Sequence, residues 1–266
     1  MARYVNLTLP LYDFMPVGNV WAWDVPFQSR PITTVERNGF ELSMITMHSE
    51  TGTRLMIPRM QDPNAPTVDQ VDLEDLVMRD LHVADLPSAA EEEIGGEQMR
   101  RCLAELDGFA RGAALLVRTG WGDGRRWESL GDDYARNTPH FSPDAAEAVC
   151  DWLLERGSNL ILSDVAYYGR GEKHMLPDWA NRPAWEREPF PSIAAQRFLA
   201  TYDRRKSEED WDSPPVFNRK GVMYVGACCD CGQIRERTLK VIVLPMRLQG
   251  FAGASCTVVA VQGYGD

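Results

Sequence analysis

Apolar positions along this chain fall into short blocks, and most of the blocks carry the two-residue period of a strand. Tyr4 to Leu11 alternates and contains β-branched residues, which predicts an opening strand. Gly39 to His48 repeats the pattern, with Phe40, Leu42 and Met44 on one face. Ala113 to Arg118 is a compact apolar run closed by Thr119-Gly120, the mark of a buried strand. Ser142-Pro143-Asp144 then opens a helix: serine caps, proline suits the first turn and Asp144 complements the dipole. Ala148, Val149, Trp152 and Leu153 carry that helix to Gly157, a C-terminal stop. Asn159 to Ser163 follows as the next buried strand, and this strand–helix–strand order predicts an α/β arrangement. Met99 to Leu106 reads as a short amphipathic helix. Val222 to Val225, Lys240 to Leu244 and Thr257 to Val261 supply three last strands. Between them, residues 170–215 are rich in Trp, Pro and charge, a long excursion around one short helix at Ile193 to Leu199. With no internal repeat, a single domain spanning 1–266 is the simplest organisation.

Composition and charge mainly exclude. With 266 residues, 44% hydrophobic and 25% charged, the chain has the make-up of a globular protein with a substantial core. A net charge of −11 repels phosphate backbones and anionic lipid, so neither nucleic acid nor a membrane surface is an expected partner. No apolar run reaches transmembrane length, and the opening residues lack the basic and apolar regions of a secretory signal. The expected location is the cytoplasm, with the six cysteines reduced.

Several segments together carry a resemblance. Asn6-Leu-Thr-Leu-Pro-Leu11, Leu115-Leu-Val-Arg-Thr-Gly-Trp121, Phe141-Ser-Pro-Asp-Ala-Ala-Glu147, Leu244 to Gly250 and Ala254 to Val261 are similar, in order, to segments of the putative-cyclase family. That family includes kynurenine formamidases, isatin hydrolases and cyclases of antibiotic pathways. The resemblance implies an α/β single domain with a mixed, barrel-like β-sheet and flanking helices, of the swivelling β/β/α type. It also implies a homo-oligomer. The family's metal-binding signature places three histidines and an aspartate around a Gly-Thr turn and a proline. Here Thr51-Gly52-Thr53 and Pro58 keep the register, but the histidine positions hold Glu50, Arg54 and Met60, and the aspartate position holds Met56. A later catalytic histidine of the family aligns with Gln196, and a later glutamate falls near Gly226. Arginine is always cationic and offers no lone pair, so Arg54 repels a dication instead of binding it. Methionine thioethers are poor ligands for zinc or manganese. The expectation is therefore no metal and no cofactor.

In extended chain Arg54, Met56 and Met60 share a parity; His48 and Glu50 join them if the Thr-Gly-Thr turn keeps the phase. A pocket with a fixed cation, a carboxylate and methionine walls suits a large, oxygen-rich, partly aromatic substrate. Metal-lacking relatives of the family occur among second- and third-ring cyclases of aromatic polyketide pathways, anthracycline-type ones included. The resemblance thus implies a metal-independent polyketide cyclase in antibiotic biosynthesis, closing a ring by aldol cyclisation and dehydration, a lyase-like reaction. Its substrate is a polyketide intermediate, free or on an acyl carrier protein, with other synthase components as partners. Arg54 is the candidate carbonyl or oxyanion stabiliser, and Glu50 or His48 the proton acceptor, with His140 a second candidate. Trp21, Trp23, Thr53, Met56, Met60 and Gln196 are the candidate substrate contacts. Against these stand plainer readings: Arg54 in an ion pair with Glu50 or another acid, the methionines as core filler, and Asp164 bonding local backbone. Cys228-Cys229-Asp230-Cys231 lacks a second ligand pair for zinc. Two other functions remain beside the cyclase, a metal-dependent cyclic amide or formamide hydrolase and a non-catalytic polyketide-binding relative.

Overall fold

A computed structural model describes residues 1–21, 24–169 and 214–264. Eight strands build its main sheet: β1 (Arg3–Asn6), β4 (Arg54–Met56), β5 (Val77–Asp85), β7 (Ala114–Arg118), β9 (Leu160–Ser163), β10 (Met223–Gly226), β11 (Thr238–Pro245) and β12 (Gly253–Gln262). Their order is β1-β12-β11-β5-β7-β9-β10-β4, and β12 pairs with β4 as well. That extra pairing closes seven strands into a barrel, while β1 lies along the rest of the β12 edge. The run β5-β7-β9-β10 is parallel and the remaining pairings are antiparallel, so the sheet is mixed. The domain is thus a single α/β unit with a barrel-like core.

Alternation along the strands divides the core in two. Leu55, Leu81, Val83, Leu116, Leu162, Val225, Val241 and Val258 point into the barrel and fill it. Leu115, Val117, Ile161 and Tyr224 point outward, where Met99 and Leu103 of α2 (Gly96–Ala104), Val149 and Leu153 of α5 (Pro143–Glu155) and Phe217 of α6 (Pro214–Arg219) cover them. Strands covered on both faces read as continuous apolar runs, which is why β7 and β9 are legible in sequence. Each such side chain, fully buried, contributes about 1.5–3 kcal/mol. The Ser142 hydroxyl caps α5 by accepting from the Ala145 amide at 3.1 Å, and Gly157 leaves the helix at φ 67°.

One strand escapes the sequence reading and one expectation needs correction. The central strand β5 escapes the apolar pattern because Arg79, Asp80, His82 and Asp85 interrupt it. Its polar side chains are locally satisfied: Arg79 donates to Gly112 O (2.8 Å), Asp75 O and Asn159 Oδ1 (both 2.9 Å), and His82 Nε2 accepts from the Ala110 amide. The segment from Gly39 to His48 forms a strand only at β3 (Leu42–Thr46), behind a short helix, α1 (Val35–Asn38). Paired with β2 (Gln28–Thr33), β3 makes a hairpin separate from the main sheet, so Phe40, Leu42 and Met44 are exposed instead of facing a core. The predicted helix at Ile193 to Leu199 lies outside the described residues. Among the described residues no helix is long and apolar enough to cross a membrane.

The Thr119-Gly120-Trp121 turn is organised by Asp164, just past β9. Asp164 Oδ1 accepts from the Thr119 amide (2.8 Å) and hydroxyl (2.7 Å), and Oδ2 from the Gly120 (2.8 Å) and Gly122 (3.4 Å) amides. Asp164 therefore does bond backbone, but that of a turn more than forty residues earlier and not its local chain. At Gly122 the turn touches the barrel: an added Cβ would lie 2.3 Å from Cys228 O. Gly122→Ala therefore forces backbone apart, at about 1–3 kcal/mol for overpacking. At roughly 2–4 °C per kcal/mol, calorimetry should show Tm lower by about 2–12 °C.

Candidate functional site

Arg54 opens β4, which is held between β10 and β12: Arg54 is paired with Gly226 on one side and Ser255 on the other. Leu55 enters the barrel, so Arg54 and Met56 leave on the opposite face, as their shared parity requires. Arg54 is only 3% exposed. Its Nη1 donates to Gly52 O (3.2 Å), its Nη2 to Ala166 O (2.8 Å), and its Cζ lies 4.6 Å from the centre of the Tyr167 ring. Two carbonyl dipoles and an aromatic face thus hold the cation. Gly226 lies against it, and a Cβ there would make only ordinary contact, 3.7 Å from Arg54 Cζ. Among the described residues no ion pair joins Arg54 to Glu50 or to another acid.

Three further ionisable groups gather here. Asp24 is buried, and its Oδ2 accepts the Val20 (2.9 Å) and Trp21 (3.0 Å) amides. Its Oδ1 faces His48 Nε2 at 3.5 Å. The other imidazole nitrogen, Nδ1, accepts the Glu50 amide at 3.1 Å, so the neutral ring carries its proton on Nε2, toward Asp24. Gly18 must be glycine for this ring to fit: its φ is 106°, and a Cβ would meet His48 Nε2 at 2.8 Å. The Glu50 carboxylate, partly buried beside Gly253, has no hydrogen bond or ion pair among the described residues. Burial is the main cause that pushes its carboxyl above the usual range, against the pull of His48 and Arg54. Burial pushes Asp24 up in the same way, and the Tyr167 phenol too.

The remaining candidates separate. Trp21 is buried and meets Tyr167 edge-on at 5.1 Å, so it adjoins the Arg54 cluster. Met56 and Met60 pack in the helix-side core with Tyr168, Val216 and Phe217. Thr53 points away from Arg54, and its hydroxyl donates to Ala227 O (2.6 Å) while accepting from the Leu9 amide (2.9 Å). That hydroxyl therefore serves the scaffold. His140 lies on β8 (His140–Phe141), 3.8 Å from Glu93 of β6 (Glu93–Ile94). Trp23 and Gln196 fall outside the described residues. Asp24 and Tyr167 were missed in the sequence, although Tyr167 follows a parallel strand, where α/β proteins often place functional groups. The cysteines are buried free thiols, with burial pushing Cys229 up to about 12 and Cys228 and Cys231 well up, so none is poised as a thiolate.

These residues do not fit a divalent metal. Arg54 and the core methionines stand where ligands are needed, and His48 Nδ1 and Asp24 Oδ2 already accept backbone amides. Among the described residues no group of three or more His, Cys, Asp or Glu is placed to hold an ion.

Comparison with known proteins agrees with the fold. A family model described as "Putative cyclase" matches residues 5–168, more than half of the chain. An isatin hydrolase A from Labrenzia aggregata, bound to benzyl benzoate, superposes with a TM-score of 0.66 at 18% identity, over 98% of this chain and 93% of that one. An isatin hydrolase bound to the product analogue thioisatinate gives 0.70 at 14% identity, over 98% and 92%. A predicted metal-dependent hydrolase from Bacillus stearothermophilus gives 0.62 at 17%, over 98% of both chains. No curated protein matches the sequence.

Proposed function

The chain belongs to the putative-cyclase family, and from that premise we propose that it is a metal-independent cyclase of aromatic polyketides. The observation that carries this reading is a buried guanidinium, Arg54, held by two backbone carbonyls, together with a half-buried carboxylate, Glu50, that has no hydrogen bond or ion pair among the described residues, in place of a metal-ligand set. A methylene between two ketones is acidic enough for a carboxylate to ionise it. Glu50 takes that proton, and the carbanion attacks a second ketone of the same chain. The carbonyl electron pair moves to oxygen, where Arg54 stabilises the charge and the proton returns. Loss of water then aromatises the ring. Folding the substrate so that the two carbons meet supplies much of the acceleration. The Asp24 contact orients His48, whose other nitrogen fixes the Glu50 backbone, so His48 acts here as a positioning residue. Trp21 beside Tyr167 offers aromatic surface.

The test is a partly cyclised poly-β-ketone from a reconstituted synthase, offered free and on its acyl carrier protein to the full chain. The expected result is a new ring pattern at a rate unchanged by chelator. An unaltered ring pattern identifies a non-catalytic binder. Stoichiometric zinc or manganese with chelator-sensitive amide cleavage identifies a hydrolase, the reading that the names of the structural relatives favour. Arg54→Ala should lower turnover by about a hundredfold, the usual effect of losing one oxyanion donor; an unchanged rate removes Arg54 from the mechanism. Self-association is also part of this proposal. Ile32, Phe40, Leu42, Met44 and Ile45 leave the β2–β3 hairpin 49–61% exposed, and a lone hairpin is marginal in water without a cover. Light scattering on the purified chain distinguishes a monomer from an oligomer.

A further inference from the structure

A cavity of about 590 Å³ runs beside β1, the end strand of the main sheet. β1 pairs with β12 on one side, and among the described residues no strand pairs with its other side. The Leu7 amide donates to Val258 O of β12 at 2.9 Å. Antiparallel alternation therefore turns the Val5 and Arg3 amides toward β12 and leaves the backbone N–H and C=O of Tyr4 and Asn6 on the free edge. Further along, Cys228 and Cys229 cover that edge, through a bridge to Thr8 and a 2.9 Å bond from the Cys229 amide to Leu7 O. The cover stops there, because Asp230 turns the chain away at φ 54° and gives its amide to Gly122 O. Tyr4 and Asn6 line the cavity from the strand side, and Asp230 and Gln233 line it from the departing chain.

The lining also says what fits. Arg125 and Asp230 are its two charged residues, of opposite sign, so the cavity is neutral on a chain of net charge −11. Trp127, buried in the same wall, has an indole N–H with no acceptor among the described residues, a donor suited to a peptide carbonyl. Alternating main-chain donors and acceptors on an open edge are matched by another extended backbone. A charged side chain entering a neutral cavity would lose its hydration without gaining a free counter-charge, which favours uncharged residues.

We propose that β1 is a docking edge for an extended, uncharged peptide segment of another protein, which adds as one more strand beside Tyr4 and Asn6. This edge is independent of the polyketide reading and would serve any reaction at the Arg54 site.

The test begins with phage-displayed hexapeptides built without Asp, Glu, Lys or Arg and selected on the immobilised full chain. The selected sequence, made as a capped peptide, is titrated by fluorescence polarisation. Tyr4→Pro removes an amide from the free edge and none from the β12 ladder, a place where an edge strand tolerates proline. It should weaken binding at least about fivefold, the effect of one main-chain hydrogen bond. Tyr4→Ala loses the ring but keeps the amide and should bind like the parent. Methylating the peptide amides one at a time should weaken binding at alternate positions, the signature of strand pairing. Asn6→Pro, at the other free-edge amide, serves if Tyr4→Pro does not fold. A library that yields no binder overturns the proposal, as does binding that proline leaves unchanged or that methylation weakens at every position alike. If Tyr4→Pro splits a dimer of the free protein into monomers, a second copy occupies the edge and the proposal is overturned as well.

Discussion

Glu50→Gln should cut ring-closure turnover by about 10²–10⁴-fold, the range for losing a positioned base, and should make the folded chain more stable at neutral pH. The two effects have one cause. Burial raises the folded-state carboxyl above its unfolded value, so the native chain binds this proton more tightly than the unfolded chain does. The contribution to stability is complete below the unfolded carboxyl pKa and is lost as pH rises through the folded one. Glutamine is neutral at every pH and escapes that loss. Thermal unfolding from pH 4 to pH 8 should show the variant's Tm advantage growing with pH and vanishing at the acid end. A variant less stable than the parent at pH 8 would mean that Glu50 has a native partner, and its assignment as a free base would fail. A site group that costs stability is the usual mark of function placed ahead of folding.

Asp164→Ala should be the most damaging single change to the fold. It leaves the Thr119, Gly120 and Gly122 amides and the Thr119 hydroxyl without their acceptor. Each orphaned buried donor costs about 1–3 kcal/mol, and a total of about 4 kcal/mol lowers Tm by about 8–16 °C at the usual slope for a chain of this size. Asp164→Asn keeps one acceptor oxygen and should fall between. Chemical denaturation at constant m-value measures both; a drop under about 1 kcal/mol for the alanine variant would show that water replaces the carboxylate.

The sequence is most readable where one physical cause acts locally. Ser142, Pro143 and Asp144 cap α5 through neighbours within three residues, and β7 and β9 are buried on both faces, so their apolar runs stand out. β5 was illegible because its polar side chains find partners supplied by other loops, among them Gly112 and Asn159. The same limit governs the site. The swap of ligand-type residues for Arg54 and Met56 is visible in the primary structure, and parity places both on one face of β4. What holds Arg54 is not visible: Ala166 and Tyr167 are more than a hundred positions away. Asp24 belongs to the site only because the chain returns to it after the β2–β3 hairpin.

β4 is three residues long, and its neighbours come from the far end of the polypeptide. Thr53 reaches Ala227 across 174 positions, and Ser255 reaches Thr51 across 204. On the ribosome, the segment bearing Arg54 emerges early and must wait until about residue 256 has left the exit tunnel before its hydrogen-bonding partners exist. Catalytic competence and completion of the cylinder are therefore a single late event. A nascent chain stalled before that point should lack activity however much helix it has formed.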